Sequence, residues 1–395
     1  MNSAGFPLRR RAREAAGPGC LLVLVCLAGC SAEQVRYRPI AALPPPPGPV
    51  VASLYLVGDG GEVNPDREAV LAHLRSDIEA VARGGAGPPV AVTFLGDNIY
   101  DDGAPMDPTP EEIEKLAGQV RALGSAPNVH GIFVPGNHDW ATGAPLEDGR
   151  EAVARQRAWI DSMSSRQDVR FLPEDGCPGP ATEDIGGLVH LVFIDTEWLL
   201  RHPEERCGSA AGFYARLAAD LRAHRDQPVV VLSHHPLASG GPHAGNVSLL
   251  DRGPLIYYVA AKSGVSRQDL SSGAYTAMRH GIARAIAESG APPLIYAAGH
   301  DHTLQVIRMA GPDEPRYQLV SGALAKSDAV RRIDGTRYAT DGFGYMRLDF
   351  VGQQVQVTVF ARDVSGGPVR AVFGCTLSQS APADECPEAP QADGA

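Results

Sequence analysis

The chain has 395 residues, 44% hydrophobic and 21% charged, which suits a packed core in one large domain or two ordinary ones. Its formal net charge of −11 at pH 7 repels phosphate backbones and excludes general nucleic-acid binding. Any anionic substrate therefore needs a strong local positive charge, and none of the three lysines sits in a phosphate-cradling GxxxxGK.

The first element is a targeting segment. Arg9, Arg10, Arg11 and Arg13 precede the apolar stretch CLLVLVCLAG (20–29), which is too short to span a bilayer and reads as a signal-peptide core. Leu27-Ala28-Gly29-Cys30 resembles the bacterial lipobox, in which the cysteine is lipidated and becomes the first residue. An ordinary signal peptide with a chance cysteine is the alternative. Ser31 after the cysteine points to outer-membrane sorting. Residues 1–29 are thus read as signal, and the product as an exported, membrane-anchored lipoprotein, periplasmic or on the cell surface. Residues 30–49, with PPPPGP at 44–49, read as a semi-rigid tether.

Apolar strands then alternate with helical segments across a main domain at 50–374. SLYLVGD (53–59) is a strand. Asn64-Pro65 opens a helix, with Leu71, Leu74, Ile78 and Val81 at helical spacing. AVTFLGD (91–97) is the next strand. Thr109-Pro110-Glu111-Glu112 forms a capping box, and Ile113, Leu116, Val120 and Leu123 give that helix a buried face. HGIFVPGNHD, LVHLVFIDT, PVVVLSHHP and PPLIYAAGHDH follow. FGYMRLDF and QVQVTVFA flank Gly352-Gln353 as a hairpin. The pattern predicts an α/β core of layered sheets and helices, closed by antiparallel C-terminal strands. Cys177, Cys207, Cys375 and Cys386 remain after export and lipidation. Pairing sequence neighbours predicts Cys177–Cys207 and Cys375–Cys386. Residues 375–395 read as a C-terminal tail, disordered beyond Cys386.

Five strands stop at chemically loaded residues: Asp59-Gly60-Gly61, Gly96-Asp97-Asn98-Ile99-Tyr100, Gly136-Asn137-His138-Asp139, His234-His235-Pro236 and Gly299-His300-Asp301-His302. Ligands bind beyond the carboxyl ends of strands in open α/β sheets. Carboxylate, amide oxygen, phenolate and imidazole together suit Fe, Mn or Zn. Two metals can clamp both oxygens of a phosphoryl displacement, and a carboxylate such as Asp97 is suited to bridge them. A phenolate such as Tyr100 is a hard anionic donor that favours a trivalent ion. Singly, each block has a plainer reading, such as a turn at GDN or a half-buried aromatic at Tyr100. Their joint order makes chance a poor account.

These blocks resemble those of the calcineurin-like metallophosphoesterases, in particular the purple acid phosphatase branch and its tartrate-resistant, mammalian-type members. The branch pattern is DxG, GDxxY, GNH[DE], a strand-ending histidine and GHxH, and all five occur here in order. The wider superfamily has DxH in the first block, where this chain has Gly61. The resemblance implies a layered α/β/β/α sandwich and a dinuclear centre of Fe(III) plus a divalent ion (Fe, Zn or Mn). Carried over, Asp59, Tyr100 and His302 would hold Fe(III), and Asn137, His234 and His300 the divalent ion, with Asp97 bridging. His234 is preferred to His235 because the family pattern is His-x-Pro. His138 would touch the phosphate, and His243 matches a catalytic histidine nine residues after His234.

The implied activity is that of an acid phosphatase, hydrolysing phosphate monoesters by attack of metal-activated hydroxide. Protonated His138 and His243 would fit activity at acid pH. Two rivals stand beside it: a phosphodiesterase or nucleotidase on the same core, decided by the loops at 101–109, 140–150 and 237–275, and a non-catalytic surface lipoprotein that uses the fold for binding.

Overall fold

The computed structural model describes residues 37, 46, 48–163, 168–201, 206–244, 268–379 and 386–391. The signal segment, Cys30 and most of the tether lie outside them, as do residues 245–267 of the loop expected to decide between monoester and diester. Among the described residues no helix is long and apolar enough to cross a membrane.

In chain order the elements are β1 (Ala52–Val57), α1 (Pro65–Ala82), β2 (Val90–Phe94), α2 (Pro110–Ala122), β3 (Val129–Phe133), α3 (Leu146–Met163), β4 (Val169–Phe171), β5 (Ala181–Ile185), β6 (Val189–Phe193), α4 (Thr196–Arg201), α5 (Ala210–Ala223), β7 (Val229–Leu232), α6 (Gly273–Ser289), β8 (Ile295–Ala298), β9 (Leu304–Arg308), β10 (Tyr317–Ser321), β11 (Thr336–Thr340), β12 (Phe343–Val351), β13 (Gln354–Asp363) and β14 (Gly366–Ser378). They form two seven-stranded sheets, ordered β14-β13-β12-β1-β2-β3-β4 and β11-β9-β10-β8-β7-β6-β5. Each has a parallel centre, β1 to β4 in one and β6-β7-β8-β10 in the other, flanked by antiparallel strands.

Alternation along the strands builds the layers. Leu54 and Leu56 of β1 meet Val230, Leu232, Ile295 and Ala297 of the second sheet in one cluster. Their neighbours Tyr55, Val57, Val231 and Tyr296 face outward onto Leu74, Ile78, Phe213 and Ile282 of the helices. Central strands buried on both faces read as continuous apolar runs, as the sequence does. The architecture is the expected α/β sandwich of two sheets with antiparallel C-terminal strands.

The helix starts follow the residues. Asn64 accepts the Arg67 N–H (2.9 Å) ahead of Pro65, and Thr109 and Glu112 close a reciprocal capping box. The expected burial of Ile113 fails, since it is 39% exposed. Leu116 and Leu123 are buried and Val120 packs against the core as expected, and Gly118, Gln119 and Ala122 are buried beside them. Gln119 turns inward because its amide donates to the Asn98 carbonyl (3.1 Å), beside the strand-end cluster. The hairpin turn falls at Gly352-Gln353, with Gly352 at φ 59°. Both predicted disulfides are present. The tail is ordered further than its composition suggests. Ala389 is buried and donates to the Arg337 carbonyl (2.8 Å), and Glu388 pairs with Arg332 (2.6 Å), so Cys386 anchors a packed segment.

His190 and His224 lie outside the five strand-end blocks. His190 gives Nδ1 to Asp184 (2.7 Å) and Nε2 to Asp220 (3.1 Å), with the His224 ring stacked on it at 3.5 Å. Burial opposes the charge on His190, but hydrogen bonds to Asp220 and Asp184 outweigh it and raise its pKa. A raised folded pKa gives stability that is full below the unfolded value and lost as pH rises through the folded one. His190→Gln should therefore lower the melting temperature more at about pH 5 than at about pH 9. Equal losses at both would mean that His190 is held neutral.

Candidate metal centre

The five loaded strand ends converge on one edge of the sandwich. β1, β2 and β3 deliver Asp59, Asp97 and Asn137 from one sheet, and β7 and β8 deliver His234, His300 and His302 from the other. Asp59, Asp97 and His300 are non-glycine residues in the left-handed region, at φ 61°, 51° and 69°. Such conformations cost free energy and persist where the surroundings impose them, typically at functional sites. Gly61 is fixed by space: a Cβ there would lie 2.6 Å from the Tyr100 amide nitrogen, which itself donates to the Gly61 carbonyl (3.0 Å). No larger residue fits that position while Tyr100 occupies its present one.

The hydrogen positions decide what the cluster can hold. His234 Nδ1 lies 2.8 Å from the Leu95 carbonyl, which only accepts, so Nδ1 carries the hydrogen and Nε2 the lone pair. That Nε2 faces Asn137 Oδ1 (3.0 Å) and Asp97 Oδ1 (3.4 Å). His300 Nε2 faces the Gln268 carbonyl (2.9 Å), leaving the Nδ1 lone pair toward Asn137 Oδ1 (3.1 Å). Asn137 spends its Nδ2 on Thr142 Oγ1 (3.2 Å), which turns Oδ1 inward. Three lone-pair atoms thus meet with no hydrogen between them, an arrangement that calls for a cation. In the second set the Tyr100 hydroxyl hydrogen takes the place a cation would hold. His302 Nδ1 meets Asp328 (2.7 Å), and its Nε2 faces Tyr100 Oη (3.2 Å) and Asp59 Oδ1 (3.7 Å). Tyr100 Oη also meets Asp59 Oδ1 (3.0 Å). Ligand atoms of Asp59, Asp97 and His234 all lie within 4.8 Å of one another, placing Asp97 between the two sets.

Electrostatics agree with that reading. Burial, then Asp97, push the Asp59 carboxyl well up. Burial pushes Asp97 up too, but His234 and His138 outweigh it and hold it low. Burial, then Asp59 and Asp97, hold the Tyr100 phenol well above its usual value, so it ionises only against a strong cation. Burial and neighbouring imidazoles press His300 well below the ordinary range, keeping it neutral with its lone pair available. Lys326 sits 3.4 Å above the Tyr100 ring.

His138 is half-buried at the rim. Its backbone N–H donates to Asp97 Oδ1 (2.9 Å), its Nε2 lies 4.0 Å from Asp97 Oδ2, and its ring meets Tyr100 edge-on at 4.6 Å. His243 lies against His300, ring centroids 4.3 Å apart, with its N–H on Asp301 (3.0 Å). All nine sequence-predicted residues therefore gather in one place. His235 is near but committed: Nδ1 meets Thr196 Oγ1 and Nε2 meets Gln268 Oε1, both at 2.8 Å. The other His–carboxylate cluster, His190, Asp220 and His224, does not call for an ion. Both His190 nitrogens and His224 Nδ1 face acceptors that a hydrogen satisfies.

The sequence reading missed the groups that orient these ligands. Asp328 and the Gln268 carbonyl fix two imidazoles, and outward partners of this kind set tautomer and ring angle. Asp139, named only as part of a motif, accepts the N–H groups of Asn98 (3.0 Å), Ile99 (3.1 Å) and Gly136 (2.8 Å). Burial, then Asp97, push it up to about 7 against those bonds. Asp195 takes the Trp140 Nε1–H (2.8 Å) and braces the loop after Asp139.

Among the solved structures that match are two of comparable likeness. GAP50, described as the anchor in the inner membrane complex of Plasmodium, superposes with TM-score 0.54 at 13% identity, over 83% of this chain and 88% of that one. PhoD superposes with TM-score 0.53 at 11% identity, over 86% and 72%. At these identities the likeness speaks for the fold alone. No curated protein is similar enough in sequence to match. Residues 55–304 match the family model for calcineurin-like phosphoesterases, a span that starts in β1 and ends just past His302, and the chain belongs to that family.

Proposed function

We propose that the protein is a purple-type acid phosphatase that hydrolyses phosphate monoesters at a dinuclear centre. The family's chemistry is metal-dependent phosphoester hydrolysis. The observation that supports the finer reading is Tyr100 Oη, seated 3.0 Å from Asp59 and 3.2 Å from His302, with the Gly61 position closed to a histidine. Asp59, Tyr100 and His302 would hold Fe(III), Asn137, His234 and His300 a divalent Fe, Zn or Mn ion, and Asp97 both. When bound, the cations neutralise the phosphoryl oxygens and acidify water for in-line attack. Asp59, pushed well up by burial and Asp97, would ionise against the cation. The protein's own part is to hold the lone pairs inward, to keep both carboxylates dry and Asp97 ionised, and to place His138 and His243 at the rim. From there those histidines can donate to phosphoryl oxygens or to the departing alkoxide. The acidic surface makes this local positive charge the main attraction for an anionic ester.

The test compares a chromogenic monoester with the matching diester across pH, using the purified protein. Monoester turnover peaking on the acid side is expected. Diester preference with a neutral optimum would assign a phosphodiesterase instead. No turnover of either, with both cations bound, would favour a binding or anchoring role, such as the one GAP50 is described as having. Tyr100→Phe should abolish any visible phenolate-to-iron absorption while leaving the protein folded. Persistence of the colour would assign the phenolate to another residue.

We also propose that Cys30 carries a lipid that anchors the protein on the outer membrane. Cys30→Ser should move it from the membrane fraction to the soluble one; an unchanged membrane fraction would refute the lipid.

A further inference from the structure

We propose that Gln268 is a positioning residue for the divalent-metal ligand His300, held in place by the buried carboxylate of Glu197. The inference rests on the dinuclear reading above. The Gln268 carbonyl receives the His300 Nε2–H (2.9 Å), and this bond selects the tautomer whose Nδ1 lone pair faces Asn137. A carbonyl can do that only if its own residue is fixed. Gln268 is fixed twice through its side chain: Oε1 accepts the His235 Nε2–H (2.8 Å), and Nε2 donates to Glu197 Oε2 (3.0 Å).

The polarity of this chain is consistent throughout. Thr196 Oγ1 accepts the His235 backbone N–H (3.1 Å) and donates its hydroxyl hydrogen to His235 Nδ1 (2.8 Å), so His235 Nε2 is the donor that Gln268 needs. Glu197, 1% exposed, gives its other oxygen to Arg201 (2.6 Å). Arg201 in turn donates to the carbonyl of Ala144 (3.2 Å), in the loop that follows Asn137. One buried ion pair thus ties the residue that aims His300 to the loop that carries Asn137, the two ligands whose lone pairs must meet. Neither Gln268 nor Glu197 reaches the reacting atoms, so both act through ligand placement.

The test is zinc affinity of the full-length protein, measured by competition with a chelating indicator. Gln268→Met keeps the shape of the side chain and removes both hydrogen bonds. It should weaken the more loosely held of two Zn(II) ions about 10- to 100-fold and leave the tighter one in place. Saturating Zn(II) should restore turnover in Gln268→Met but not in His300→Ala. Ser271→Ala serves as the control for the segment, because its hydroxyl contacts only Asp269 (2.6 Å) among the hydrogen bonds described for it, and should leave both affinities unchanged. Equal affinities in Gln268→Met and wild type would overturn the proposal. So would parallel loss of both ions, which would make Gln268 a support of the fold only. Wild-type protein that binds fewer than two ions would overturn the dinuclear reading itself, and this inference with it.

Discussion

Asp97→Asn should leave a folded protein that retains one cation rather than two and turns over roughly 1,000-fold more slowly, about 4 kcal/mol of lost transition-state stabilisation. The fold should survive because Asp97 sits at φ 51°, a conformation that asparagine tolerates better than most residues. The amide oxygen can also keep the His138 N–H bond now made at 2.9 Å. That bond then dictates the failure. With Oδ1 committed to His138 and facing His234 Nε2 (3.4 Å), the NH2 group takes the Oδ2 position, so the side chain offers a bridge one oxygen instead of two. An N–H cannot serve as a metal donor, and the loss of one charge would leave two cations facing only Asp59 and the Tyr100 phenolate. Metal content by mass spectrometry after gel filtration, read beside kcat/KM, checks both parts. Two cations retained at wild-type affinity would show that Asp97 does not bridge.

The parts of this site that were legible in the sequence are those with a local signature. Gly96-Asp97, Gly136-Asn137 and Gly299-His300 announce themselves because close approach of backbones demands glycine beside the functional side chain. A Cβ on Gly136, for instance, would lie 2.3 Å from Asp97 Oδ1. The capping box at Thr109 and the turn at Gly352 are equally local. What escaped is set by contacts distant in sequence. The Gln268 carbonyl orients His300, but every residue has a carbonyl, so no side-chain pattern marks it. Asp328 lies 26 residues from His302 and reaches it only because β9 and β10 pair and return the chain. The burial of Gln119 was missed because helical spacing of apolar residues gave weight to Ile113 and none to a polar residue whose partner lies in the site. The tail misled for a similar reason. Proline, charge and small residues suggested disorder, and a disulfide with one backbone bond overrode composition.

Asp139→Ala should be the most damaging substitution for stability near the centre, and its cost follows from counting donors. The carboxylate is fully buried and accepts from the backbone of Asn98, Ile99 and Gly136 and from the Asn98 side-chain amide (2.9 Å). Removing it leaves four buried N–H groups without that acceptor. A stranded buried donor costs about 1–3 kcal/mol, less where water enters the cavity. A total loss of roughly 3–6 kcal/mol is a large share of the roughly 5–15 kcal/mol that holds a domain together. The same four donors belong to the GDNIY and GNHD loops, so both cation sets should loosen together rather than one alone. Asp139→Asn separates packing from hydrogen bonding. It fills the volume but turns an NH2 group toward donors, and should recover only part of the loss. Thermal unfolding with metal content measured on the same samples decides the matter. A wild-type melting temperature in Asp139→Ala would mean that water or another acceptor takes over those N–H groups, and that the two loops are held by their cations alone.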